Sequence, residues 1–141
     1  MAEVLARRAA EAAGWAGLQV VSAGTGTGGG SPASQGAARA ARRHGLELGH
    51  HRSSPLTPAA VAEADLVLAM TPSHLARVLE LGGGGKSHLL GAYAAGGEGV
   101  SGGGAVPDPF GGSDAEYEET FMLLEALVQE ALRRIAPMVE P

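Results

Sequence analysis

Short runs of β-forming residues alternate along this chain with helices whose start signals are explicit, and that order constrains the fold more than any other feature. Leu18-Gln19-Val20-Val21-Ser22, the apolar run Asp65 to Met70, and Ser87-His88-Leu89-Leu90 read as strands. Helices are predicted from Ala2 to Gly14, from Ser34 to His44 with a stop at Gly45, and from Thr57-Pro58 to Ala64. Thr71-Pro72 opens another that runs to Leu81. The last begins at Ser113, which forms a capping box with Glu116, and carries Tyr117, Phe121, Leu124, Val128, Leu132 and Ile135 at helical spacing. Strand and helix in alternation predict an α/β fold, a three-layer sandwich with a parallel sheet flanked by helices. The chain opens with a helix, however, where such a sheet usually opens with a central strand.

The length of 141 residues suits a single domain over residues 1–141 with one sizeable core. Glycine, at 23 residues, is about twice as frequent as in average proteins and points to many loops. Cysteine is absent, which removes disulfides, thiolate-ligated zinc and any thiolate nucleophile. The net charge of -5 is unevenly spread: six Arg against three Glu fall in residues 1–52, and the excess acid lies beyond. A nucleic-acid platform is not expected from that balance. No apolar run approaches the length of a membrane span, and the cytoplasm is the expected location.

Several segments invite a chemical reading. Gly24-Thr25-Gly26-Thr27-Gly28-Gly29 satisfies the spacing of a dinucleotide loop, but no helix starts directly after it and no acid is placed for a ribose. Gly82 to Ser87 ends in Gly-Lys-Ser yet leads out of a helix into a strand, the reverse of a phosphate loop, and reads as a helix stop with a solvated loop. His44, His50, His51, His74 and His88 lack metal-ligand spacing, so surface or capping roles are expected. Val106-Pro107-Asp108-Pro109-Phe110-Gly111-Gly112-Ser113 stands apart, because two prolines stiffen the chain around one carboxylate at the end of a long loop. A carboxylate held in this way, and partly desolvated by the neighbouring ring, suits general-acid work; a stiff lead into the helix is the plainer alternative.

The ensemble of Met1-Ala2-Glu3, Ser22-Ala23-Gly24-Thr25, Ser31-Pro32-Ala33, His51-Arg52-Ser53, Pro55-Leu56-Thr57, Ala64 to Thr71 with His74, and Asp108-Pro109-Phe110-Gly111-Gly112 resembles the low-molecular-weight protein-tyrosine phosphatases. The resemblance is to the bacterial branch that includes protein-arginine phosphatases, and it covers nearly the whole chain. In that family a first strand leads into a Cys-x5-Arg-Ser/Thr loop, then Pro, then the Met-Ala-Glu helix. The resemblance implies that this chain, beginning at that methionine, is truncated at the N-terminus and lacks the nucleophilic cysteine, its arginine, the phosphate loop and the first, central strand.

Of the family's catalytic residues, only the general acid carries over, onto Asp108, with Phe110 as a wall of the substrate slot. No metal and no cofactor are implied. The implied partner is a phosphorylated protein or small aryl phosphate, with no nucleic acid and no membrane. As 141 residues the chain is expected to be inactive and poorly folded, because a central strand makes on the order of ten ladder bonds worth about 1 kcal/mol each, comparable to a domain's whole stability. The alternatives are a non-catalytic remnant acting as a binding or regulatory module and, behind it, a dinucleotide-binding module.

Overall fold

The computed structural model of the chain describes residues 1–15, 17–25, 29–49, 51–96, 105–109 and 111–139. In chain order it forms α1 (Ala2–Ala12), α2 (Gln35–Arg43), α3 (Pro58–Glu63), β1 (Val67–Ala69), α4 (Pro72–Glu80), β2 (Ser87–Leu89), α5 (Leu90–Ala94) and α6 (Asp114–Val139). Local chemistry explains the helix ends. Ser34, Thr57 and Thr71 each accept the backbone N–H three residues on, at 3.3, 3.1 and 3.3 Å. Pro58 and Pro72 occupy first-turn positions, where no amide donor is missed. After α1 and α2 the chain turns on Gly14 and Gly45, at φ +78° and +77°, a conformation that costs glycine nothing.

β1 and β2 are parallel, with Val67, Leu68 and Ala69 in register with Ser87, His88 and Leu89. Helices cover both faces. Ala69, Leu89 and Ala92 pack with Leu75 of α4 on one side. On the other, Leu66, Leu68 and Met70 lie against the larger core of Leu5, Ala40, Ala41, Leu48, Leu90, Tyr93, Val106 and the buried stripe of α6. This alternation is the period-two pattern of a strand between two helical layers. The α6 stripe matches the predicted spacing: Tyr117, Phe121, Leu124 and Val128 are buried, while Leu132 and Ile135 are partly so.

Two expectations need correction. Leu18 to Ser22 is not a strand, since no backbone ladder bond joins it to any described residue; β-type residues become a strand only beside a partner, and among the described residues β1 pairs with β2 alone. The start of the long loop expected ahead of Asp108 is instead helical, as α5, whose Leu90, Ala92 and Tyr93 are buried. The apolar run Asp65 to Met70 narrows to a ladder of three residues because β2 offers only three to pair with it.

The lone lysine has a structural task. Lys86 Nζ donates to the carbonyl of Val61 at 2.5 Å and to that of Ala64 at 2.6 Å, closing the end of α3 where intrahelical donors run out. Ser87 Oγ donates to the Gly83 carbonyl at 2.6 Å. Gly-Lys-Ser thus fastens a helix end. Lys86→Met is expected to lower unfolding stability by about 1–3 kcal/mol, the cost of leaving such acceptors without their cation, read from urea denaturation midpoints. A change below the error of the midpoint would overturn that assignment.

Candidate functional site

Asp108 sits on a strap anchored at both ends. Upstream, the Val106 N–H donates to the Met70 carbonyl at 2.7 Å, and the Val106 side chain is buried in the core. Downstream, the Gly112 N–H donates to the Pro109 carbonyl at 2.7 Å, closing a turn that runs straight into α6. A Cβ on Gly112 would stand 2.8 Å from the Pro109 oxygen, so the turn needs glycine there. Ser113 and Glu116 form the predicted capping box, with the Glu116 N–H donating to Ser113 Oγ and the Ser113 N–H to Glu116 Oε1, both at 3.2 Å. The strap therefore places Asp108 next to the carboxyl end of β1, where ligands bind in open parallel sheets. Asp108 itself is exposed. The shielding expected from an apolar ring is not supplied by the described residues, and Phe110, the expected slot wall, lies outside them.

A second group gathers around the first turn of α1. Glu3 Oε1 accepts from Ser22 Oγ at 2.7 Å, its other oxygen meets Arg7 at 3.1 Å, and His51 Nδ1 lies 4.0 Å away. Arg7 also donates to the Val20 carbonyl through Nε and Nη2, at 3.0 and 2.8 Å. Burial pushes the Met1 amino group below its usual value of 8.0, against the opposing pull of Glu3. The sequence signalled only part of this cluster: Glu3 and Arg7 are an i, i+4 pair, whereas Ser22 and His51 join it through the fold.

The other motifs fall elsewhere. Gly24 is tied to the Pro55 segment, donating to the Ser54 carbonyl at 2.8 Å and accepting from the Leu56 N–H at 2.9 Å. Residues 26–28 of the glycine tract lie outside the described residues, and α2 does not begin until Gln35. His50 is likewise undescribed. Among the described residues, no group of three or more His, Asp or Glu is arranged to hold a metal ion. No described helix is long and apolar enough to cross a membrane.

His44 takes the C-cap of α2 and joins it to α6. Its ring stacks on buried Phe121 at 4.2 Å, and Nε2 lies 2.5 Å from Glu118 Oε1, while Arg43 Nε holds the other Glu118 oxygen at 3.1 Å. The hydrogen bond from His44, opposed by some desolvation and reinforced by Arg43, keeps the Glu118 carboxyl below its usual 4.5. A carboxyl with a depressed folded value binds fewer protons folded than unfolded. Its stabilisation is thus present above about pH 4.5 and lost as the pH falls through the folded value. Thermal melting from pH 6 to pH 3 is expected to show Glu118→Gln less stable than the parent at the upper end and converging with it at the lower. Parallel melting curves at all pH values would contradict this.

The family described as "Low molecular weight phosphotyrosine protein phosphatase" matches residues 1–139. Among curated relatives, low molecular weight protein-tyrosine-phosphatase Etp of Escherichia coli K12 is 32% identical over 107 residues, 74% of this chain and 68% of Etp. Among solved structures, the YwlE arginine phosphatase of Geobacillus stearothermophilus aligns at a TM-score of 0.82 with 29% identity, covering 97% of this chain and 84% of that one. The tyrosine phosphatase Wzb of Escherichia coli K30, in complex with sulphate, aligns at 0.80 with 28% identity, covering 95% and 87%.

Proposed function

The chain belongs to the low molecular weight phosphotyrosine protein phosphatase family, a family of hydrolases, and on that premise we propose that these 141 residues carry the leaving-group half of a phosphoprotein phosphatase whose sulfur half lies in sequence upstream of Met1. The observation that carries this reading is a family match spanning residues 1–139 in a chain with no cysteine.

In the complete enzyme a cysteine thiolate attacks phosphorus and the bond to the leaving oxygen or nitrogen breaks as the Asp108 carboxylic acid protonates that atom. The resulting Asp108 carboxylate then takes a proton from water. That water attacks the phosphocysteine, releasing inorganic phosphate and the thiolate. Tyrosine and arginine phosphatases both occur among the similar structures, and the same acid serves a phenolic oxygen or a guanidine nitrogen. Paired assays on a phosphotyrosine peptide and on phosphoarginine decide which substrate is used.

DNA immediately upstream of the Met1 codon tests the reading. An in-frame apolar strand followed by Cys-x5-Arg-Ser and Pro supports it; a stop codon directly before Met1 refutes it. The absence of cysteine also favours a second reading, a non-catalytic remnant that serves as a binding or regulatory module. A stable, inactive chain with that upstream stop codon would establish the second reading over the first.

A further inference from the structure

Asp108 is only as well placed as the two ends of the strap that carries it. Pro107 and Pro109 restrict rotation on either side, and the second also restricts Asp108 itself, so a displacement of the flanking chain carries the carboxylate with it. The upstream end is held by the body of the protein, through the Val106 N–H to the Met70 carbonyl and through the Val106 side chain, which is 3% exposed. The downstream end is held differently. The bond from the Gly112 N–H to the Pro109 carbonyl joins two residues of the strap, so it fixes the shape of the turn and not its place.

Glu116 ties this turn to α6. Its Oε1 accepts from the Ser113 N–H at 3.2 Å and from Ser113 Oγ at 3.3 Å, and its carboxylate lies over Gly112, where a Cβ would stand 2.9 Å from Oε2. The backbone behind that side chain is itself anchored: the Glu116 carbonyl accepts from Thr120 Oγ1 at 3.0 Å, and the next residue, Tyr117, is buried. A capping box ordinarily serves its helix. Here the same bonds also fasten the strap, because Ser113 directly follows the turn.

The geometry points to Glu116 as a positioning residue for the general acid: its carboxylate holds the Pro109–Gly112 turn against α6 and so keeps Asp108 where a leaving atom can take its proton. The inference rests on the phosphatase reading above and deepens it, since that reading names the acid but not what holds it in place. In this role Glu116 touches no reacting atom and moves no proton. Its contribution is geometric, and a misplacement of about 1 Å at a catalytic group can cost on the order of 10²-fold in rate.

The test is a double-mutant cycle in the complete enzyme, extended upstream to its Cys-x5-Arg loop, with phenyl phosphate as substrate. Glu116→Ala is expected to lower kcat by about 10- to 100-fold with KM nearly unchanged. Glu116→Gln, whose amide oxygen accepts the same N–H, is expected to recover most of that loss. In an Asp108→Asn background, where no proton remains to be delivered, Glu116→Ala should cost no further rate. A merely structural role predicts the opposite, because damage to the helix end would slow both backgrounds alike.

Additive losses in the two backgrounds, a parental kcat for Glu116→Ala, or a loss that Glu116→Gln fails to recover overturns the proposal. If Glu116→Ala does not fold, Glu116→Asp decides: one methylene shorter, it keeps the first-turn charge and reaches the strap poorly. Its loss is expected to vanish in the Asp108→Asn background, and a parental rate or a loss that persists there overturns the proposal. The two readings fail distinguishably. If Asp108→Asn is as fast as its parent, the acid assigned to the phosphatase fails and this inference with it; if Asp108→Asn is slow and Glu116→Ala is not, this inference falls alone.

Discussion

In a chain extended upstream to carry the Cys-x5-Arg loop, Asp108→Asn is expected to lower kcat by about 10²- to 10⁴-fold, the usual worth of a positioned general acid. Asparagine keeps the shape of the side chain and removes only the transferable proton, so KM should move little. The loss should grow with the basicity of the leaving group: small for p-nitrophenyl phosphate, whose phenolate leaves readily, and larger for phenyl phosphate. That gradient separates proton donation from a structural role, because a strap that had merely shifted would slow both substrates alike. The strap is built to resist such shifts, being pinned at Met70 and closed by the Pro109–Gly112 turn. The 141-residue chain itself should not turn over either substrate, having no thiolate. Equal rates for Asp108→Asn and its parent would remove Asp108 from the mechanism.

Gly36→Ala is expected to destabilise the fold by about 1–3 kcal/mol, although alanine ordinarily favours a helix over glycine by about 1 kcal/mol. A Cβ at position 36 would overlap Cδ2 and Cε2 of Tyr117 and stand 2.7 Å from Cζ. The ring has little room to yield. Tyr117 is buried, its hydroxyl accepts from Ser34 Oγ at 3.1 Å, and Ser34 is the residue that caps α2. The clash therefore lies between α2 and α6, which the Arg39–Asp114 and Arg43–Glu118 ion pairs also join. Denaturation midpoints should show the penalty, and in a Tyr117→Ala background the same substitution should cost nothing or stabilise, a strongly non-additive cycle. A stabilising Gly36→Ala in the parent would mean that the helices readily separate.

Much of the fold is legible residue by residue because its signals are local. Thr57 and Thr71 cap the helices they were expected to open, and the Tyr117-Phe121-Leu124-Val128 stripe turns inward as its spacing requires. The Leu18–Ser22 strand failed for a physical reason: a helix closes its hydrogen bonds within itself, whereas a strand depends on a neighbour that its own residues do not encode. α5 was hidden by the glycines that flank it, which carry weak helix propensity, and its form is set by the burial of Leu90 and Tyr93. At the site, Asp108 between two prolines could be singled out from the sequence, but its tether to Met70 and its exposure could not.

Composition alone established that no thiolate exists in these 141 residues, and the order of capped helices and apolar runs established an α/β sandwich. The tertiary structure decided how Lys86 and Tyr117 are used, and that Glu3 meets Ser22 and His51. The division follows the range of the forces involved: caps, helical periodicity and residue chemistry act over three or four positions, whereas ladder bonds and close contacts join residues that only the completed fold brings together.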